Sequence, residues 1–161
     1  MRHAKTERES VDGSDFTRRL TARGHKDTVI MCNQLKLHAL LPDCILCSTA
    51  SRTQETAEIV MHELSLPRIS LHLFDELYAS SPDVYFRLIN RFKNKASTIC
   101  IIAHNPGIHE AAYTLSDVEI PVVPTSCIIA FDYVDDAVDT PELIKDKKSE
   151  PIFYAYPSMY K

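Results

Sequence analysis

Short apolar runs of strand length alternate along this chain with segments of helical periodicity. Buried strands are predicted most clearly at 44–48 and at 98–103. A helical pattern precedes the first of these runs, with Thr21 as its N-cap and Pro42 ending it. This alternation predicts an α/β fold, a three-layer α/β/α sandwich around a mostly parallel central sheet. A chain of 161 residues fits one domain, here 1–161.

The other elements continue the alternation. Ser51 and Gln54 have capping-box spacing, which predicts a helix with Arg52 in its first turn. Ser81 followed by Pro82 predicts the start of another helix. The remaining patterns predict a strand at 69–74, a helix from 108, strands within 122–133 and 152–156, and a charged loop at 135–150.

The charge of the chain limits the classes of partner. A formal net charge of −4 gives no general attraction to nucleic acid or to an anionic membrane. The chain has no apolar run as long as a membrane span and does not open with the pattern of a signal peptide. We therefore expect a cytoplasmic protein without nucleic-acid or membrane partners, in which any anion site is built from locally gathered cations.

Three segments carry residues suited to an anion site. In Arg2-His3, a neutral imidazole could act as a nucleophile, and the guanidinium could neutralise phosphoryl oxygens through paired hydrogen bonds. A basic residue in the first turn of a helix is unfavourable because of the helix dipole, unless an anion lies at the helix start. Arg52 is therefore predicted to be a phosphate ligand. His104 ends the strongest predicted strand, at the edge where open α/β sheets place ligands.

These segments together resemble a known family. MRHAKTE matches the RHG or RHA signature of the histidine phosphatase superfamily. STASRTQETA resembles its second-arginine segment, and IIAHNPGI is similar to its second-histidine segment. RRLTARG further resembles the RxLTxxG segment of the short SixA-type phosphohistidine phosphatases. The four segments span most of the chain in the family's order.

The resemblance implies a phosphoglycerate mutase-like fold and a phosphatase reaction. It implies that His3 attacks phosphorus and becomes phosphohistidine, which water then hydrolyses. The substrate is then a phosphorylated small molecule or a phosphohistidine protein, and no metal or organic cofactor is implied. The residues expected to hold the phosphoryl group are Arg2, Arg52 and His104, with Arg18 and Asn105 as further substrate contacts.

A leaving-group acid is the least defined part of this expected site. Larger family members protonate the leaving oxygen with a carboxylic acid, and Glu76 in DELYAS is the candidate here. An imidazole leaving group departs more readily than an alkoxide, so a SixA-type enzyme needs the acid less.

Two alternatives stay open beside the SixA-like interpretation. One is a phosphoglycerate mutase-like enzyme or sugar-phosphate phosphatase of the same superfamily, although the chain is short for the helical lid of such enzymes. The other is a non-catalytic phosphate-binding module, which retention of both histidines disfavours. A cysteine phosphatase would need C-x5-R, whereas Cys47 to Arg52 is C-x4-R. A zinc hydrolase would need H-E-x-x-H, and Leu66 replaces the second histidine after His62-Glu63.

The cysteines and the start of the chain give two further expectations. The five cysteines mostly lie in apolar runs, so we expect reduced core thiols rather than a metal or redox site at Cys44 and Cys47. Family members have a strand directly before the RH pair, and this chain begins at Met1. We therefore expect the coding region to extend upstream as a β pattern, and His3 to be weakly held in the present form.

Overall fold

The computed structural model describes residues 1–133, Ile144 and 148–161. Of the charged loop predicted at 135–150, the positions 135–143 and 145–147 lie outside the described residues. The helices found are α1 (Ala22–Leu37), α2 (Ser51–Glu63), α3 (Pro82–Phe92) and α4 (Gly107–Leu115), and the strands are β1 (Cys44–Ser48), β2 (Leu71–Phe74), β3 (Ile99–Ile102), β4 (Ile128–Ala130) and β5 (Phe153–Ala155). None of the described helices is long and apolar enough to cross a membrane.

The central sheet has β1 in its middle. It runs in the order β2-β1-β3 with all strands parallel, and Leu46 of β1 pairs with His72 on one side and Ile101 on the other. Parallel neighbours require a crossover connection, and helices α2 and α3 lie between these strands in the chain. Strands β4 and β5 form a separate antiparallel pair.

Helices cover both faces of this sheet. Successive side chains of a strand point to opposite faces, so β1 contributes to two hydrophobic clusters. Ile45 and Cys47 pack in one cluster with residues of α1 and α2. Cys44 and Leu46 pack in the other with residues of α3 and α4. The expected α/β/α sandwich with a parallel central sheet is confirmed, and all five cysteines are free, as predicted.

The first three residues extend the sheet beyond β3. Arg2 forms a parallel bridge with Ala103, whose backbone N–H donates to the Met1 carbonyl at 3.2 Å. The His3 N–H donates to the Ala103 carbonyl at 3.1 Å. On the other side, the Arg2 N–H donates to the Cys127 carbonyl at 2.9 Å, and the Ser126 N–H donates to the His3 carbonyl at 3.1 Å.

These hydrogen bonds correct the expectation that His3 is weakly held. Its backbone lies between β3 and the segment leading into β4, with bonds on both sides. Burial of Met1 adds an apolar anchor at the chain end. The expected upstream extension of the coding region stays a prediction.

Local details at the element ends differ from the sequence predictions. The N-cap of α2 is Ala50 without a side-chain cap, so Ser51 lies inside the helix and forms no capping box. The predicted strand at 69–74 begins only at Leu71, because 68–70 form a 3-10 turn. The predicted cap of α1 is confirmed, since the Thr21 hydroxyl accepts from the Gly24 N–H at 3.0 Å.

The RRLTARG segment packs the start of α1 against the chain that follows His3. The Thr21 N–H donates to the Lys5 carbonyl at 2.9 Å. A Cβ added at Gly24 would lie 2.3 Å from that carbonyl oxygen, so only glycine permits this approach. The Leu20 N–H donates to Glu55 of α2 at 2.9 Å. These contacts fix the segment after His3 between the starts of two helices.

Candidate functional site

Side chains from distant segments meet where β1 and β3 end and α2 begins. Arg2 and His3 lie on the extended N-terminal segment, Arg52 in the first turn of α2, and His104 two residues after β3. The ring centroids of His3 and His104 are 5.2 Å apart. The Arg52 Nε is 3.2 Å from the His104 Nδ1. The structure therefore brings together four of the seven candidate site residues that were named from the sequence.

The His3 ring is held with one nitrogen open. Its Nδ1 is 2.8 Å from the Ala4 carbonyl oxygen, and a carbonyl can only accept, so Nδ1 carries the proton and donates. The pKa of His3 is lowered to about 4, chiefly because only 8% of the residue is exposed, and the charges of Arg52, Arg2 and Arg18 contribute in the same direction. Among the described residues, Nε2 has no hydrogen-bond partner. The neutral ring thus presents a free lone pair on Nε2.

The His104 ring is held at both nitrogens. Its Nδ1 accepts from Arg52 Nε, so the neutral ring carries its proton on Nε2. That Nε2 donates to the Ser48 hydroxyl at 2.9 Å. Burial lowers the pKa of His104 to about 3, with repulsion from Arg52 and His3 as the next causes. The Tyr78 ring packs edge-on against His104 at 5.4 Å. These contacts fix the orientation of His104 beside the nucleophile candidate.

Arg52 is almost fully buried, with 6% of the residue exposed, and its guanidinium is fixed in three directions. Besides the bond from Nε to His104, Nη1 donates to the backbone carbonyl of Asp15 at 2.6 Å. Its Nη2 donates to the Asp15 carboxylate at 2.9 Å. The acidic side chain of Asp15, which was not named from the sequence, therefore lies inside the polar cluster formed by Arg2, His3, Arg52 and His104.

Arg2 and Asn105 lie side by side through a shared acceptor. Arg2 Nη1 donates to the Val123 carbonyl at 2.8 Å, and Asn105 Nδ2 donates to the same oxygen at 3.1 Å. Arg2 Nε and Asn105 Oδ1 are buried without a hydrogen-bond partner in the part of the chain that the structure describes. Because an unsatisfied buried polar group costs about 1–3 kcal/mol, both atoms are suited to a ligand or to water.

Arg18 joins the cluster through Asp15, whereas Glu76 has a different partner. Arg18 Nη1 donates to Asp15 Oδ1 at 2.9 Å, and its Nη2 donates to the Thr6 hydroxyl at 2.6 Å. Glu76 is exposed in the turn after β2 and forms an ion pair with Arg87. No hydrogen bond or ion pair between described residues joins Glu76 to the cluster, and its role as an acid stays a prediction.

Sequence reasoning missed three residues of this cluster: Asp15, Ser48 and Tyr78. Ser48 ends β1, and the rule that placed His104 at the carboxyl edge of the sheet would have found it. Asp15 lies in a polar loop and Tyr78 follows a 3-10 turn, and neither position has a periodic signal.

The described side chains that could bind a metal do not form a metal site of three or more ligands. Within 1–133, 148–161 and Ile144, no group of three or more His, Cys, Asp or Glu is arranged to hold a metal ion. Cys44 and Cys47 belong to clusters on opposite faces of the sheet, so they cannot bind one ion together. His62 is exposed in the last turn of α2, at the far end from Arg52.

The protonation of the two site histidines provides a first test. We expect both rings to remain neutral from pH 8 to pH 5 in nitrogen-15 NMR spectra, His3 with its proton on Nδ1 and His104 with its proton on Nε2. Folding lowers the pKa of His3 from 6.5 to about 4 and the pKa of His104 from 6.5 to about 3. Protonation therefore favours the unfolded chain, and the two groups should lower the free energy of unfolding as the pH drops below 6.5. Titration of His3 near pH 6.5 would contradict the assignment.

Sequence comparison finds distant relatives in mycobacteria. No protein-family model matches the chain. An uncharacterized protein of Mycobacterium leprae is 29% identical over 119 residues, which cover 72% of this chain and 71% of that protein. An uncharacterized protein of Mycobacterium tuberculosis is 28% identical over 119 residues, covering 73% of this chain and 71% of that protein.

Comparison with solved structures finds similar folds along the chain. The protein histidine phosphatase SixA complexed with tungstate superimposes with a TM-score of 0.80 at 23% identity, covering 100% of this chain and 97% of that chain. A structure proposed to be SixA from Nakamurella multipartitia gives 0.69 at 20% identity, covering 98% and 93%. A structure proposed to be the phosphohistidine phosphatase SixA from Agrobacterium tumefaciens gives 0.64 at 25% identity, covering 71% and 73%.

Proposed function

We propose that this chain, which has the fold of the histidine phosphatase superfamily and resembles its SixA members, is a phosphatase that works through a phosphohistidine on His3. The observation that carries the proposal is the state of the His3 ring. Its Nδ1 proton is engaged by the Ala4 carbonyl, Nε2 is open, and three arginines lie close enough to act on its charge. A neutral imidazole beside fixed cations is what attack on a phosphoryl group needs.

The reaction follows in two displacements at phosphorus. The Nε2 lone pair of His3 forms the N–P bond while the bond to the leaving group breaks, and the departing atom keeps the electron pair and takes a proton from water. Water then attacks phosphorus and releases a proton to the solvent as the P–O bond forms, the N–P bond breaks, and its electron pair returns to Nε2 as phosphate leaves. Positioning and charge stabilisation dominate such transfers, and Arg2, Arg18 and Arg52 would supply both.

The arginines and the unpartnered polar atoms support binding of a tetrahedral oxyanion. The structural neighbour with the highest TM-score given above is a complex with tungstate, an oxyanion. In this chain, Arg2 Nε is a buried donor without a protein partner among the described residues. We propose that a phosphoryl oxygen receives this hydrogen bond, with Asn105 beside it as a substrate contact.

We favour phosphohistidine as the substrate over a phosphate monoester. Glu76, the candidate acid, is paired with Arg87 instead of with the cluster. An alkoxide leaving group needs a proton donor more than an imidazole does, because the alkoxide is much the stronger base. Asp15 does contact the site arginines, but its pKa is lowered to about 2, so it is ionised near neutral pH and has no proton to donate. A site in which no described carboxyl group is placed to donate a proton suits a phosphorus–nitrogen bond better. The mutase-like or sugar-phosphate enzyme and the binding module remain as alternatives.

A substrate panel tests the proposal. We expect turnover of a phosphohistidine peptide to exceed that of a small aryl phosphate and of a sugar phosphate, measured as released phosphate. Quenching with labelled substrate should trap a phosphoenzyme that is acid-labile and base-stable, on His3. Faster turnover of the sugar phosphate would favour the first alternative, and phosphate binding without turnover would favour the binding module.

A further inference from the structure

The Asp15 carboxylate connects three side chains around the proposed site. Its Oδ1 accepts from Arg18 Nη1 at 2.9 Å. Its Oδ2 accepts from Arg52 Nη2 at 2.9 Å and from the Tyr78 hydroxyl at 3.0 Å. The Asp15 backbone carbonyl accepts a further bond from Arg52 at 2.6 Å. One residue thus determines the position of two guanidinium groups and one phenol.

The charge of Asp15 is suited to this position. The hydrogen bond from Arg18 lowers the pKa of Asp15 to about 2, and Tyr78 and Arg52 contribute in the same direction, so the carboxylate is ionised near neutral pH. It offsets the mutual repulsion of guanidinium groups that converge on a buried site. With Arg2, Arg18 and Arg52 it leaves a net charge of +2, which matches the two negative charges of a phosphoryl dianion.

The loop that carries Asp15 is itself fixed. The Asp12 carboxylate accepts from the Ser10 hydroxyl at 2.9 Å and from the Ser14 N–H at 3.0 Å, and it also accepts from the Thr17 hydroxyl. The Phe16 carbonyl accepts from the Ser51 N–H at 3.1 Å, which ties the loop to the start of α2. Asp15 therefore has a defined position although 52% of its side chain is exposed.

Donor capacity remains on both arginines after these bonds form. Each Nη nitrogen carries two hydrogens, and Asp15 engages one hydrogen on each Nη of Arg52 and one on Nη1 of Arg18. The remaining N–H groups lie in guanidinium planes whose orientation Asp15 fixes. Preorganised donors lose little entropy on binding and strengthen charge stabilisation in the transition state.

We propose that Asp15 is a positioning residue, which holds Arg18, Arg52 and Tyr78 so that the free guanidinium N–H groups meet the phosphoryl oxygens. The inference rests on the proposed function, because it assigns a role at the same oxyanion site. Asp15 acts through the arginines and does not itself contact the reacting atoms. Its removal leaves the guanidinium charges in place and changes their orientation.

Binding of inorganic phosphate, measured by calorimetry, tests this role without requiring turnover. In Asp15→Asn we expect affinity to fall about tenfold, the loss expected for one charge-assisted hydrogen bond. The matched control is Asp12→Asn, which alters the same loop without touching an arginine, and we expect its affinity to stay within about twofold of the parent. Tyr78→Phe removes only one donor to Asp15 and serves as a second, milder variant, with an expected loss of a few-fold.

A double-mutant cycle shows whether Asp15 acts through Arg18. If it does, Asp15→Asn should weaken phosphate binding less in an Arg18→Ala background than in the parent, because residues that share one network are not additive. A residue needed only for folding would give additive losses. The kcat/KM of the same variants should fall in the same order as phosphate affinity.

The outcomes separate failure of this inference from failure of the proposed function. A parent protein that does not bind phosphate would overturn both. Phosphate binding by the parent with unchanged affinity in Asp15→Asn would overturn the positioning role alone. Tighter phosphate binding in Asp15→Asn would show that the carboxylate competes with the oxyanion. An equal loss of phosphate affinity in Asp12→Asn would show an effect of loop order. Either result would also overturn the positioning role.

Discussion

Replacing His3 by alanine is expected to abolish turnover of the phosphohistidine peptide. The variant has no Nε2 to form the N–P bond, and water in the same place lacks a fixed lone pair held against phosphorus. We expect kcat to fall at least about 10³-fold, which corresponds to about 4 kcal/mol of activation free energy. The labelled phosphoenzyme, which a base quench should trap in the parent, should also be absent from the variant.

The burial of His3 determines the controls for this variant. With 8% of the residue exposed, truncation to alanine also removes packing and costs some stability, so thermal unfolding should be measured alongside activity. His3→Asn retains a polar side chain of intermediate size and should be equally inactive. His62→Ala changes a histidine whose side chain is 87% exposed, and its rate should match the parent. A His3→Ala rate within about tenfold of the parent would be too high for loss of a nucleophile.

Arg52→Lys is the second variant for which we expect a large loss, about 10²–10³-fold in kcat/KM, as for loss of one preorganised oxyanion donor. Arginine uses Nε for His104 and its two Nη groups for Asp15. A lysine keeps the charge but has one ammonium on a flexible chain, so it cannot make these bonds in the same plane and also grip two phosphoryl oxygens.

The matched control for this substitution is Arg19→Lys. Arg19 also pairs with a carboxylate, Glu55, but 77% of its side chain is exposed and it does not contact His104 or Asp15. We expect its kcat/KM to stay within about twofold of the parent, since exposed ion pairs contribute little. The kcat/KM values of both variants are to be measured from steady-state rates on the phosphohistidine peptide and compared with the parent. A near-normal rate in Arg52→Lys would show that the guanidinium fork is not needed.

Local sequence patterns predict the layers of the fold and the edge of the sheet at which most of the candidate site residues lie. Runs of apolar residues and the capping of α1 by Thr21 depend on local patterns, and the structure reproduces them. The rule that ligands bind at the carboxyl edge of the strands placed His104 at the site. Local chemistry also indicated why Arg2 and His3 belong together, although burial, more than neighbouring charge, lowers the pKa of His3.

The contacts between specific atoms of the candidate site follow from the tertiary structure and not from local sequence patterns. Tyr78 bonds Asp15 across 63 positions of the chain, and Arg52 bonds His104 across 52. Periodicity reports which face of an element is buried and carries no information on such distant partners. The same holds for the support of His3, because its backbone is held by Ala103 and by Ser126. The position of His3, its tautomer and the orientation of the arginines around it therefore depend on contacts that form only when the first three residues pair with the sheet.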